Sequence, residues 1–135
     1  MYRQPSYVAT RCNKELLRGD YRGFEYRIMD LGTHPTAYVK IPKGHPLYKK
    51  DWMDWKHPID DEIEVHGGIT YSRDYLYCEG ENLDGWWIGW DYAHWGDHTG
   101  YDGSEPLKPW FTKWTTEEIV HDVTSVIDQC VEVIK

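Results

Sequence analysis

Residues 115–134 read TTEEIVHDVTSVIDQCVEVI, and their spacing decides the fold. Ile119, Val120, Val123, Val126, Ile127, Cys130, Val131 and Ile134 recur at intervals of three and four, which on an α-helix gathers them into one apolar stripe. The start is specified as well: Thr115 and Glu118 have capping-box spacing, and Trp114 and Ile119 occupy the hydrophobic-staple positions on either side of the cap. The pattern predicts a helix over 116–134. One amphipathic helix cannot bury its own stripe, so it needs a second layer to lie on.

Upstream the period changes to two. Phe24, Tyr26 and Ile28 alternate with Glu25, Arg27 and Met29, followed by the turn-rich LGTHPT (31–36) and then AYVKIP (37–42), which reads as a hairpin. IEVH (63–66) and ITYS (69–72) flank Gly67-Gly68, a pair that tolerates positive φ, and are expected to form a second hairpin or bulge, with 71–77 extending its strand. GENLDG (80–85) reads as a loop, and WWIGWDY (86–92) as an interior strand with rings on both faces. The expected architecture is α+β: an antiparallel sheet of four to six strands with the C-terminal helix packed on one face. The length of 135 residues suits a single domain over 1–135.

Charge is unevenly divided. Residues 1–50 carry ten Lys/Arg against four Asp/Glu, and 51–135 carry five against nineteen, so a net of +6 faces a net of −14. That balance argues against a general binder of duplex nucleic acid, which needs basic groups gathered on one surface. Cys12, Cys78 and Cys130 have no CxxC spacing and fit a reducing cytoplasm. The opening MYRQPSYVATRCNK is polar, and no run is long and apolar enough for a membrane span, so the expectation is a soluble cytoplasmic protein with no membrane partner.

Chemistry concentrates in WWIGWDYAHWGDH (86–98), where four tryptophans stand among two aspartates and two histidines. With WWIGW on a strand, Asp91 falls at its end and His94 and Asp97 follow at spacings of three and six, so a helical turn there would point all three to one side. Carboxylate with imidazole is a ligand set for zinc, manganese or iron, and Asp91, His94 and Asp97 are candidate ligands of a divalent metal. His66, before the glycine pair, is the first choice to complete the set, and His45 in KGHPLY the second. Asp91 could equally cap a short turn, and a His94–Asp97 pair could be purely structural. His98 reads as an exposed loop residue, His34-Pro35-Thr36 as a hairpin turn, and His57 and His121 as bystanders. Without metal, His66 and His94 are the candidate catalytic acid and base, imidazole being the side chain suited to that work near neutrality. Trp86, Trp90 and Trp95, with Trp87, Trp52 and Trp55, could stack a flat ligand, one face of the 86–90 strand lying in the core and the other at the site. GxSxG, GxxxxGK[ST] and GxGxxG are all absent, which sets aside serine hydrolases and P-loop enzymes.

GHPLY (44–48), VHGGITYS (65–72) and WWIGWDYAHWGD (86–97), in that order, resemble a family of small phage and prophage proteins of no assigned reaction. The similarity spans about residues 20–134, and implies that His45, His66, Asp91, His94 and Asp97 converge. The chain departs from the family in the acidic insert KKDWMDWKHPIDDE (49–62) and in its extra tryptophans. The functional expectation is a phage-type, counter-defence accessory protein that binds, or binds and hydrolyses, a phosphorylated small molecule such as a signalling nucleotide. The alternative is a non-enzymatic acidic inhibitor that mimics nucleic acid and blocks a basic site on a host defence protein.

Overall fold

The computed structural model describes residues 14–53, 59 and 62–133. Cys12, Trp55, His57 and Ile134, discussed above, lie outside them. Among these residues five strands, β1 (Lys14–Tyr21), β2 (Phe24–Asp30), β3 (Pro35–Ile41), β4 (Tyr71–Cys78) and β5 (Glu81–Asp91), precede one helix, α1 (Thr116–Glu132). All neighbours are antiparallel in the order β1-β2-β3-β5-β4, and α1 packs across β1, β2 and β3. This is the α+β architecture expected. No helix among the described residues is long and apolar enough to cross a membrane.

Two of the hairpins turn on residues with two consecutive positive φ angles. Arg22-Gly23 (φ 52° and 86°) joins β1 to β2, and Glu79-Gly80 (φ 49° and 90°) joins β4 to β5. Two-residue loops of this handedness match the twist of the flanking strands. The expected hairpin around Gly67-Gly68 does not form, although both glycines have positive φ: IEVH is not a strand, the Gly68 N–H to the Val65 carbonyl closes a turn over 65–68, and β4 begins only at Tyr71. GENLDG is likewise no loop, since Glu81 to Gly85 belong to β5 and Glu81 to Asp84 pair with the end of β4. β1, which has no clear alternation, was not anticipated; it is an edge strand with a bulge between Glu15 and Leu17.

β5 is interior, and both its faces are covered. Trp86, Ile88 and Trp90 join Ile28, Val39 and the α1 residues Ile119, Val123, Val126 and Ile127 in the main core. Trp87 points the other way, into a smaller cluster with Met29, Tyr38, Leu76 and Cys78. The rings on both faces are packed into the two cores, contrary to the reading of the strand as half core and half site. A sheet carrying tryptophan on both sides needs both sides closed, because each ring removes a large apolar area from water.

The α1 N-terminus is built as its sequence specifies. Thr115 Oγ1 accepts from the Glu118 N–H at 3.2 Å, and Glu118 Oε1 accepts from the Thr115 N–H at 2.9 Å. Thr115→Ala should cost about 1 kcal/mol, read as a lower urea midpoint with unchanged slope. An unchanged midpoint would show that packing alone fixes this end.

Candidate metal centre at the end of β5

Beyond Asp91 the chain reverses at once. The Asp97 N–H donates to the His94 carbonyl at 2.9 Å, and hydrogen bonds from Thr112 to Gly96 (2.7 Å) and from His98 to Thr112 (2.8 Å) pin the returning segment beside the turn. Trp114, just ahead of α1, is thereby brought over it.

The centre of the arrangement is the Asp97 carboxylate, whose side chain is 3% exposed. It accepts from His66 Nε2 at 2.8 Å, from the His94 backbone N–H at 3.0 Å and from Trp114 Nε1 at 2.8 Å. Burial alone would raise its pKa, but the hydrogen bonds from His66, His94 and Trp114 outweigh burial and hold it below the ordinary carboxylate value. An ionised carboxylate only accepts, so the facing His66 Nε2 carries the proton. The His66 ring is stacked on Tyr92 (4.9 Å, 10°) and meets the edges of His94 (5.6 Å) and Trp114 (5.0 Å). Tyr92 is fixed in turn: its hydroxyl donates to Asp122 of α1 at 2.5 Å and accepts from Trp90 Nε1 at 3.0 Å. Burial, then the Asp122 bond, drive the Tyr92 pKa well upward, so the phenol stays protonated.

His94 completes the group. Its Nδ1 lies 3.6 Å from Asp91 Oδ1 and 3.7 Å from Asp97 Oδ2, is shut off from solvent and has no hydrogen-bond partner. Gly67 makes room for this ring: a Cβ there would stand 2.1 Å from His94 Cε1, and φ is +72°. Gly67 thus serves close approach.

Ligand atoms of His66, His94 and Asp97 all lie within 4.8 Å of one another. A tetrahedral ion with bonds near 2.0–2.1 Å sets its donors about 3.3 Å apart. The gaps from His94 Nδ1 to the two carboxylates, 3.6 and 3.7 Å, are slightly wider than that, the His66–Asp97 contact at 2.8 Å is tighter, and the bound on the whole set is 4.8 Å, so the ligands must draw in around an ion. An incoming ion would therefore replace the proton now held between His66 and Asp97.

Asp91 approaches the group but is also engaged locally, accepting from Thr70 Oγ1 and from the Ala93 N–H, each at 3.2 Å. The second of these is the turn-capping role its sequence allowed. His45 is elsewhere. Its Nε2 bonds the Cys130 carbonyl at 2.8 Å and its Nδ1 accepts from the Leu47 N–H at 3.0 Å, so it serves the C-terminal end of α1. That is the far end from Trp114 of a 17-residue helix, a length of about 25 Å. Trp86 (8% exposed) and Trp90 (1%) are core residues. Trp95 is 88% exposed, its ring edge-on to Phe111 rather than over the histidines. His98, expected on the surface, is buried beside Tyr101.

Sequence reading missed Tyr92, Trp114 and Asp122, which hold His66 and Asp97 in place. Trp114 had a signal, since a staple residue ahead of a cap must lie against the core, but nothing in the spacing indicated its second contact. No protein-family model, no curated protein and no solved structure matches the chain.

Proposed function

We propose that His66, His94 and Asp97 hold a divalent transition metal, and that the protein uses it to bind and hydrolyse a phosphorylated small molecule. The observation that carries this reading is the buried, unpartnered His94 Nδ1 between two carboxylates. A buried ring nitrogen without a partner is costly, and a metal ion removes that cost. The groups that set the Asp97 charge are His66, the His94 amide and the Trp114 indole, none of them Lys or Arg. A phosphate facing Asp91 and Asp97 therefore needs a bound cation to approach, and a divalent ion there supplies charge and polarises the phosphoryl oxygen. The similarity of three sequence blocks to phage and prophage proteins supports placing the molecule among their accessory proteins, with counter-defence as the setting. The free, buried thiols of Cys78 and Cys130 suit the host cytoplasm.

Calorimetric titration with zinc and manganese, alongside elemental analysis of the untreated protein, tests this. One ion per chain is expected, with proton release, and His94→Ala should weaken it at least about tenfold. Absence of binding by both ions would overturn the metal centre; binding without phosphatase activity on p-nitrophenyl phosphate would reduce it to a binding or structural site. The −14 net charge of residues 51–135 supports the second reading, an acidic inhibitor of a basic host site. Its mark is capture of a host protein that is lost with salt and indifferent to His66→Ala and His94→Ala.

A further inference from the structure

A cavity of about 200 Å³ opens on the sheet face opposite α1, beside Asp91. Its walls include Leu31 and His34 from the β2–β3 turn, Thr36 and Tyr38 of β3, Tyr71 of β4 and Asp91 of β5. The register explains why these meet: Thr36 pairs with Asp91, while Tyr38 and Tyr71 both pair with Gly89, so all four side chains rise from one face. Gly89 makes room for the Tyr38 ring to lie against the sheet, since a Cβ there would stand 2.4 Å from it.

The chemistry of the walls is specific. The Tyr38 and Tyr71 rings stand nearly perpendicular, 5.2 Å apart at 80°, forming two sides of a corner. Tyr71 spends its hydroxyl on the Tyr75 carbonyl at 2.6 Å, which fixes the ring and leaves its π surface as what it offers. The Thr36 hydroxyl is buried, and no protein group completes a hydrogen bond to it. Asp91 supplies a carboxylate, and no wall of the cavity is Lys or Arg. Perpendicular aromatic faces beside an acid, without a competing cation, form a receptacle for positive charge, because ring faces and carboxylate both present negative potential. A phosphate finds no donor cation there, and a purely apolar ligand would strand Asp91 and Thr36.

We propose that this cavity binds a small organic ammonium group, seated in the corner formed by the Tyr38 and Tyr71 rings with Asp91 as counter-charge and the Thr36 hydroxyl as an acceptor. The volume is below that of drug-sized pockets and suits a head group of a few heavy atoms. The cavity does not depend on the metal reading. If both hold, Asp91 stands between them, and the ligand that satisfies both carries a phosphoryl group and an amine.

The test is an NMR titration of the full chain, with a chelator present so that metal plays no part, using choline and its uncharged isostere 3,3-dimethylbutan-1-ol. Choline should give saturable shifts at Tyr38, Tyr71 and Thr36, and bind at least about tenfold more tightly than the alcohol, the difference a desolvated cation–π contact provides. Asp91→Asn and, separately, Tyr71→Leu should each weaken choline by about tenfold while circular dichroism stays unchanged. Tyr71 is only partly buried, so its variant retains the fold and keeps the test open if Asp91→Asn does not. Equal affinity for choline and the alcohol, preference for inorganic phosphate, or shifts confined to other surfaces would each overturn the proposal.

Discussion

Asp97→Asn should be among the most damaging single changes, costing about 2–4 kcal/mol of folding stability and abolishing metal binding. The carboxylate receives three donors: His66 Nε2, the His94 N–H and Trp114 Nε1. Asparagine keeps the shape but has one acceptor oxygen, and its own NH2 must face a donor, so at least one buried N–H is orphaned. Loss of bonds to a charged acceptor and the orphaned donor both act in the same direction. With total stability of small domains at about 5–15 kcal/mol, such a loss would lower the urea midpoint substantially. The pH dependence separates this from a mere packing defect. The folded pKa of Asp97 is depressed, so its ionised form stabilises the protein above the unfolded-state value, and that contribution is lost as pH falls through the folded value. Wild type should therefore lose stability steeply below about pH 4, and the variant, having nothing to protonate there, should show a shallower acid limb. A variant curve parallel to wild type throughout would place the stabilisation elsewhere.

Why Asp97 matters was only half legible in the sequence. Helix periodicity made α1 readable nearly to the residue, because a capping box and a long stripe are local patterns that tertiary packing reinforces. The hairpins were harder. Arg22-Gly23 and Glu79-Gly80 carry glycine only at the second turn position, so the stronger-looking Gly67-Gly68 attracted the hairpin assignment. That pair answers a different demand, clearance for the His94 ring, which no local pattern announces. The spacing of Asp91, His94 and Asp97 pointed to one side of a turn, and His66 followed from its neighbouring glycines. His45 did not follow: a histidine beside glycine and proline serves equally well as a donor to the last carbonyls of a helix. Trp86 and Trp90 could be sorted into core or site only by knowing that the long β3–β4 connection folds back, placing Leu47, Ile63 and Ile69 in the same core. Contacts of that range are set by the whole sheet, beyond the reach of a window of sequence.

Gly67→Ala turns that clearance into a measurement. The added methyl would stand 2.1 Å from His94 Cε1 and its residue would be held at φ +72°, so the His94 ring must leave its place between Asp91 and Asp97. The backbone penalty alone is about 1–2 kcal/mol, and the clash adds to it. Metal affinity should fall about 10- to 100-fold, the scale seen when a ligand loses its orientation. The two contributions separate in a double-mutant cycle. In a His94→Ala background the methyl meets no ring, so Gly67→Ala should cost at least about 1 kcal/mol less there, leaving only the left-handed strain. An additive cycle would mean that His94 yields freely and that its position between the two carboxylates is not enforced by the fold. Strong coupling would establish that Gly67 seats an imidazole against two acids, an arrangement whose burial is costly until a cation joins it.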